Sequence, residues 1–223
     1  MRFGVGNMGR GLAVAALLTG VATGCGDGDA EQGSSAAKAA ATATAKVAAS
    51  GGSIGADGSA CELPVTFDIA EFWEAEAVDS ASQKGDTGDE LTDELADALL
   101  HQGPVTMACE VDAKPAGKVG FLRVWTGKPG DADARTVLEG FVTAESGSSG
   151  AKYRAFEAGG LTGTEVEYVT TSELLEETKK ERALAVTTSD GPVVLHLGGM
   201  DTQEHEAMLP AYELAKSTLK ATA

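Results

Sequence analysis

Residues 183–197 read ALAVTTSDGPVVLHL. Two runs rich in aliphatic and β-branched residues, Ala183–Thr188 and Pro192–Leu197, flank Asp190-Gly191, a dipeptide that favours a tight hairpin turn. The stretch predicts two neighbouring antiparallel strands. Val193, Leu195 and Leu197 alternate along the second, which puts His196 on the opposite face as a structural sheet histidine. A last element follows, from Thr202 to Ala221. There Met208, Tyr212, Ala215 and Leu219 fall at i, i+4, i+7 and i+11, the spacing of one apolar helical stripe. Pro210 conflicts with that helix, because proline lacks the backbone donor and clashes one turn back. A kink, or a helix that starts near Leu209, is expected.

Upstream of the hairpin, Tyr153–Phe156 and Thr164–Thr170 read as paired strands around Gly159-Gly160, and Ser172–Thr178 as a short helix. Val137, Leu138, Phe141 and Val142 have helical spacing within Asp133–Ala144, with Asp131 or Asp133 as the N-cap. Val105–Val111 and Val119–Trp125 are strands, and Leu63–Ile69 alternates Val65, Phe67 and Ile69 as a half-buried strand does. In the acidic segment Asp86–Leu100, the stripe Leu91, Leu95 and Leu99 marks a further helix with a solvated carboxylate face. Strands and helices in this order predict an α+β fold, a mostly antiparallel sheet flanked by helices.

The N-terminal end supplies an address. Arg2 and Arg10 precede a short apolar run, Leu12–Val21, which ends in Ala22-Thr23-Gly24-Cys25. Such a run is far short of the roughly 20 residues that cross a bilayer, and its flanks read as a cleaved export signal over residues 1–24. The four terminal residues resemble the bacterial lipobox, which implies a diacylglycerol on Cys25 and a domain held at the extracytoplasmic face of the cell membrane. The alternative is an ordinary secretory signal with an incidental cysteine. Residues 26–60 are built from Gly, Ala, Ser, Thr and Asp, with almost nothing large enough to pack. They are expected to be a disordered tether, with the globular domain over residues 61–223.

Cleavage removes two cations, so the formal charge of −17 becomes −19. A chain this anionic is repelled by nucleic acid and by anionic head groups, which leaves a covalent lipid as the means of membrane attachment. With Cys25 lipidated, Cys61 and Cys109 remain as an even pair in a compartment where disulfides persist; two buried thiols are the alternative.

Motifs that carry chemistry are weak. Gly4-Val-Gly-Asn-Met-Gly9 matches a dinucleotide fingerprint but lies in the export signal. Ser217-x-x-Lys220 lacks the companion elements of a serine acyl enzyme. Asp27-Gly28-Asp29 opens like a calcium loop but fails where Gln32 and Lys38 stand. Asp201-Thr-Gln-Glu-His205 falls one histidine short of a zinc pattern and reads more simply as a helix cap. No metal and no cofactor are expected. Trp73, Trp125, Tyr153 and Tyr212 are the candidates for a contact surface, against the alternative that they pack the core.

The run Arg182–Gly198 followed by Glu206–Leu219 resembles the ending of PsbP-like domains, which include the LpqN/LpqT-type lipoproteins of actinobacteria. There a last hairpin with an Asp-Gly turn leads to a long helix packed across an antiparallel sheet. The early Phe67-x-x-x-x-Phe72-Trp73 is similar to that fold's first strand. The resemblance implies a non-enzymatic binding or interaction module of the cell envelope and supplies no catalytic residues. Two alternatives stand beside it: a carrier of a lipid or small apolar ligand, and an envelope hydrolase or metal-dependent enzyme using His205.

Overall fold

The structure, a computed structural model, describes residues 46–79 and 99–222. Cys25, the expected lipidation site, lies outside the described residues, as do Leu91 and Leu95 of the leucine stripe. Five strands come first: β1 (Ser50–Ile54), β2 (Val65–Ala70), β3 (Glu74–Ala77), β4 (His101–Gln102) and β5 (Val105–Asp112). A 3-10 turn over Lys114–Ala116, β6 (Gly120–Thr126) and α1 (Ala134–Ala144) follow. Four long strands or strand-like arms and a helix complete the chain: β7 (Ser148–Ala158), β8 (Leu161–Ser172), β9 (Glu177–Thr188), β10 (Gly191–Gly199) and α2 (Thr202–Thr218), with a short β11 (Lys220–Ala221).

The main sheet runs β3-β5-β6-β10-β9-β8-β7, with β4 beside β5, and every pair is antiparallel. This is the expected α+β fold. The hairpin of residues 183–197 sits at its centre. Its turn pairs Thr188 with Gly191, so Ser189 and Asp190 form the tip. Gly191 takes φ +123, where a Cβ would overlap the carbonyl oxygen of Gly127. Only glycine closes this turn.

Both faces of the sheet are covered. On one lie α2 and a small sheet of order β1-β2-β11. Leu122, Val124, Leu184, Leu195 and Leu197 meet Phe67, Met208, Tyr212 and Leu219 there. Helix α1 packs on the other, where Val137, Leu138 and Phe141 meet Trp125, Val166, Ala183, Ala185 and Val194. Residues 193–197 of β10 are therefore buried at every position. A bulge between Met107 and Cys109 changes the parity of β5. Val105 and Met107 face α1, whereas Cys109 and Val111 face α2. The bulge thus aims Cys109 at Cys61, and the two form a disulfide with Cα atoms 6.0 Å apart.

Helix α1 starts where Asp133 accepts a hydrogen bond from the Thr136 amide at 2.7 Å. Three local expectations are corrected. Ordered structure starts before Cys61: Gly- and Ser-rich β1 pairs with β2, and the Ala48 amide donates to the Pro210 carbonyl at 2.9 Å. Composition hides this strand because its backbone bonds, not its side chains, hold it. Residues 172–178 form the end of the β8–β9 hairpin rather than a helix, since the two strands stay paired out to Ser172 and Glu177. Pro210 lies inside a continuous α2. The carbonyl one turn back belongs to Glu206, an exposed residue that water can reach.

Candidate binding site

His196 projects from β10 toward α1. Covered by that helix, it is 6% exposed instead of facing water. Neighbouring strands bring Tyr168 from β8 and Glu181 from β9, which are paired across the ladder. Glu145 arrives from the C-cap of α1, where the backbone turns from helical to extended. Four residues from three strands and a helix end converge.

The Tyr168 hydroxyl donates to Glu145 Oε2 at 2.5 Å and lies 3.1 Å from His196 Nε2. His196 Nε2 is 3.3 Å from Glu181 Oε2, and the Lys179 ammonium is 2.7 Å from Glu181 Oε1. Lys179 also donates to the Gly199 carbonyl at 3.1 Å. Tyr168 has one hydroxyl hydrogen, given to Glu145, so its oxygen accepts from the imidazole Nε2–H. Phe141 packs edge-on to the imidazole, 5.4 Å between centroids, and Trp125 packs edge-on to Phe141 at 5.5 Å.

Burial shapes the charges here. It raises the Tyr168 phenol well above its ordinary value, and the neighbouring Glu145 charge adds to the rise. For Glu181 burial also opposes ionisation. Hydrogen bonding and charge from His196 and Lys179 outweigh it and hold the carboxyl below its ordinary value.

Two clefts open on this array. One, of about 370 Å³, is lined by Trp125, Glu145, Lys179, Glu181, His196 and Met200 among others. Beside it a groove of about 810 Å³ runs along the end of the β8–β9 hairpin. The two share Glu145, Lys179, Gly199 and Met200 as a common wall. The groove's far side is Leu174 and Leu175, which are 92% and 66% exposed.

A family model described as "Uncharacterised lipoprotein" matches residues 31–219. The chain belongs to this lipoprotein family. Among solved structures, the lipoprotein is similar to cyanobacterial PsbP (CyanoP) from Synechocystis sp. PCC 6803. The two share 11% identity with a TM-score of 0.44, over 71% of this chain and 86% of that one. It is also similar to LpqN, involved in cell envelope biogenesis of Mycobacterium tuberculosis. There the identity is 14% and the TM-score 0.41, over 77% of this chain and 90% of that one. No curated protein matches the chain by sequence. Among the described residues of the lipoprotein, no helix is long and apolar enough to cross a membrane.

The aromatic residues singled out from the sequence do not assemble. Trp73 and Tyr212 lie in the core under α2, 8% and 0% exposed. Trp125 lies in the core under α1, and Tyr153 is half-buried beneath the Arg135 guanidinium at 3.8 Å. These side chains pack the interior of the lipoprotein or its flank, and only Trp125 borders the array.

His205 lies on α2, 3% exposed, and borders another cleft of about 320 Å³ with Lys152, Lys180 and Arg182, which Tyr168 and Glu181 of the array also line. Burial lowers its pKa to about 4. The residues before it form a cap, as the Asp201 carboxylate accepts from the Glu204 amide at 2.8 Å. Among the described residues, the one cluster whose donor atoms suit a metal ion is Glu145, Glu181 and His196, which excludes His205. The sequence held a faint signal for one member: His196 interrupts the apolar run Val193–Leu197, whereas Glu181 lies among the charged residues Lys179–Arg182.

Proposed function

We propose that this lipoprotein is a non-catalytic interaction module of the cell envelope. Acylated Cys25 anchors it to the extracytoplasmic face of the cytoplasmic membrane, and the Ala/Gly/Ser-rich segment after Cys25 serves as its stalk. The observation that carries the reading is the pair of adjoining clefts beneath the apolar hairpin tip. Leu174, Leu175 and Met200, the last 61% exposed, flank a groove on an otherwise strongly anionic chain. Contiguous exposed apolar side chains rimmed by charge are the mark of a recognition surface. Glu173, Glu176 and Glu177 border the tip, so a partner protein with an apolar knob and a basic rim fits it.

The test is a photoreactive residue at Leu174 of the full-length protein in intact cells. One discrete protein adduct is expected, and Met200→Asp should remove it. Cross-linking no stronger than from the same probe at exposed Phe72, away from both clefts, would refute the reading, as would turnover of an envelope substrate by the purified protein. Incorporation of labelled palmitate, abolished by Cys25→Ala, checks the anchor. An organic ligand that survives native mass spectrometry would favour the carrier alternative instead.

A further inference from the structure

Three carboxylate or imidazole groups point at one small volume inside the molecule, and their chemistry is that of metal ligands. We propose that Glu145, Glu181 and His196 form a site for one divalent first-row metal ion, with zinc as the ion that fits best. The inference goes beyond the interaction reading and does not rest on it.

The donor set argues for the class of ion. One imidazole nitrogen and two carboxylate oxygens suit zinc and its first-row neighbours. Calcium and magnesium need six or more oxygens. The spacing argues for a single ion. Zinc bonds of about 2.0–2.2 Å in a tetrahedron set neighbouring donors roughly 3.4 Å apart. His196 Nε2 and Glu181 Oε2 are already 3.3 Å apart. All three donor atoms lie within 4.8 Å of one another, so Glu145 closes the set by moving at most about 1.4 Å, within reach of a carboxylate rotation.

The surroundings are those of a metal site's outer shell. Lys179 holds the Glu181 oxygen that does not face His196, and Tyr168 orients Glu145 through its hydroxyl. On metal binding, the imidazole presents its Nε2 lone pair and carries its hydrogen on Nδ1. Three protein ligands leave a fourth position toward the cleft of about 370 Å³.

Two independent observations point the same way. The Glu181 side chain is 0% exposed, with Oε1 2.7 Å from the Lys179 ammonium and Oε2 3.3 Å from His196 Nε2. A carboxylate offers about four lone-pair sites, so these two contacts leave it capacity for a cation. In the same cleft the Trp125 indole N–H, on a residue 4% exposed, has no hydrogen-bond partner. It is a spare donor for an oxygen ligand at the open position.

The experiment titrates zinc into the full mature chain, stripped of metal in detergent, by calorimetry. Cobalt(II) then serves as a visible-absorption probe of coordination. One equivalent of zinc is expected, with cobalt showing the intense bands of a four- or five-coordinate ion. Glu145→Gln, at the more exposed ligand, should weaken zinc binding at least tenfold while leaving the circular dichroism spectrum and melting temperature unchanged. His196→Asn should abolish the cobalt bands, and His101→Ala should leave both signals intact. The proposal is overturned by absence of saturable zinc binding. It is equally overturned if folded Glu145→Gln binds zinc as the parent does, or if His101→Ala removes the site. Cross-linking through Leu174 reads the interaction function separately, so the failure of one leaves the other standing.

Discussion

Lowering the pH from 8 to 5 should destabilise the folded domain through one side chain, His205. Its ring is 3% exposed on α2, and Nδ1 has no hydrogen-bond partner. Burial lowers the folded pKa to about 4 from an ordinary 6.5, against the smaller pull of the Glu181 charge; Arg182 and His196 add to the lowering. The unfolded chain therefore takes up the proton first as pH falls. Stability from this group is complete above about pH 6.5 and is lost progressively down to about pH 4. With these two values the loss is about 2 kcal/mol by pH 5, and about 3 kcal/mol once both states are protonated. For a domain of this size, 2 kcal/mol corresponds to a melting temperature lower by roughly 4–8 °C. The assay is thermal unfolding of the parent and of His205→Gln across that range. Glutamine keeps a donor and removes the titration. The difference between the two curves isolates His205 from His101 and His196. A difference that stays constant from pH 8 to pH 5 would refute the reasoning.

Three further outcomes are expected. Arg182, 16% exposed in its side chain, touches Glu165, Glu167 and Glu213, and Lys216 binds Glu165 and Glu213 from the other side. Arg182→Met leaves these carboxylates short of a cation and should cost about 3 kcal/mol in urea unfolding, partly recovered by adding Glu213→Gln. A cost below about 1 kcal/mol would show that the cluster is solvated instead. Gly120→Ala puts a Cβ against the Gly198 carbonyl oxygen and the Met208 methyl, and should cost about 1–3 kcal/mol. An unchanged melting temperature would contradict that close approach. Replacing Cys61 and Cys109 with serine frees a loop whose ends are 48 residues apart, a loss of about 4 kcal/mol in the chain-entropy model. Equal stability of the parent with and without reductant would argue against the bond.

Elements whose signal is local were legible before folding. The 183–197 hairpin, α1 with its Asp133 cap and the apolar stripe of α2 each depend on residues within a few turns of one another. Their hydrophobic period and cap chemistry are set along the chain. The pairing of Cys61 with Cys109 was legible by elimination, given an export signal. β1 was not, because Ser50–Ile54 holds its place through backbone hydrogen bonds that almost any residue can make. Nor was the β8–β9 tip, where Glu173 and Leu174 look helical in isolation but the strand ladder prevails.

The site lay furthest from view. Alternation along β10 correctly sends His196 to the face away from Leu195, and a half-buried sheet would then expose it. Packing of α1 decides otherwise. It buries that face and delivers Glu145 from the helix end, next to Tyr168 and Glu181 from two other strands. No spacing in the chain encodes that meeting, since it spans residues 145–196 and depends on where a helix comes to rest. Amino-acid order alone settled the central hairpin and the types of the elements with a strong local period, because those follow from neighbouring side chains. Only the tertiary structure could bring buried Tyr168, Glu181 and His196 together with half-buried Glu145, because burial and proximity arise when separate elements pack.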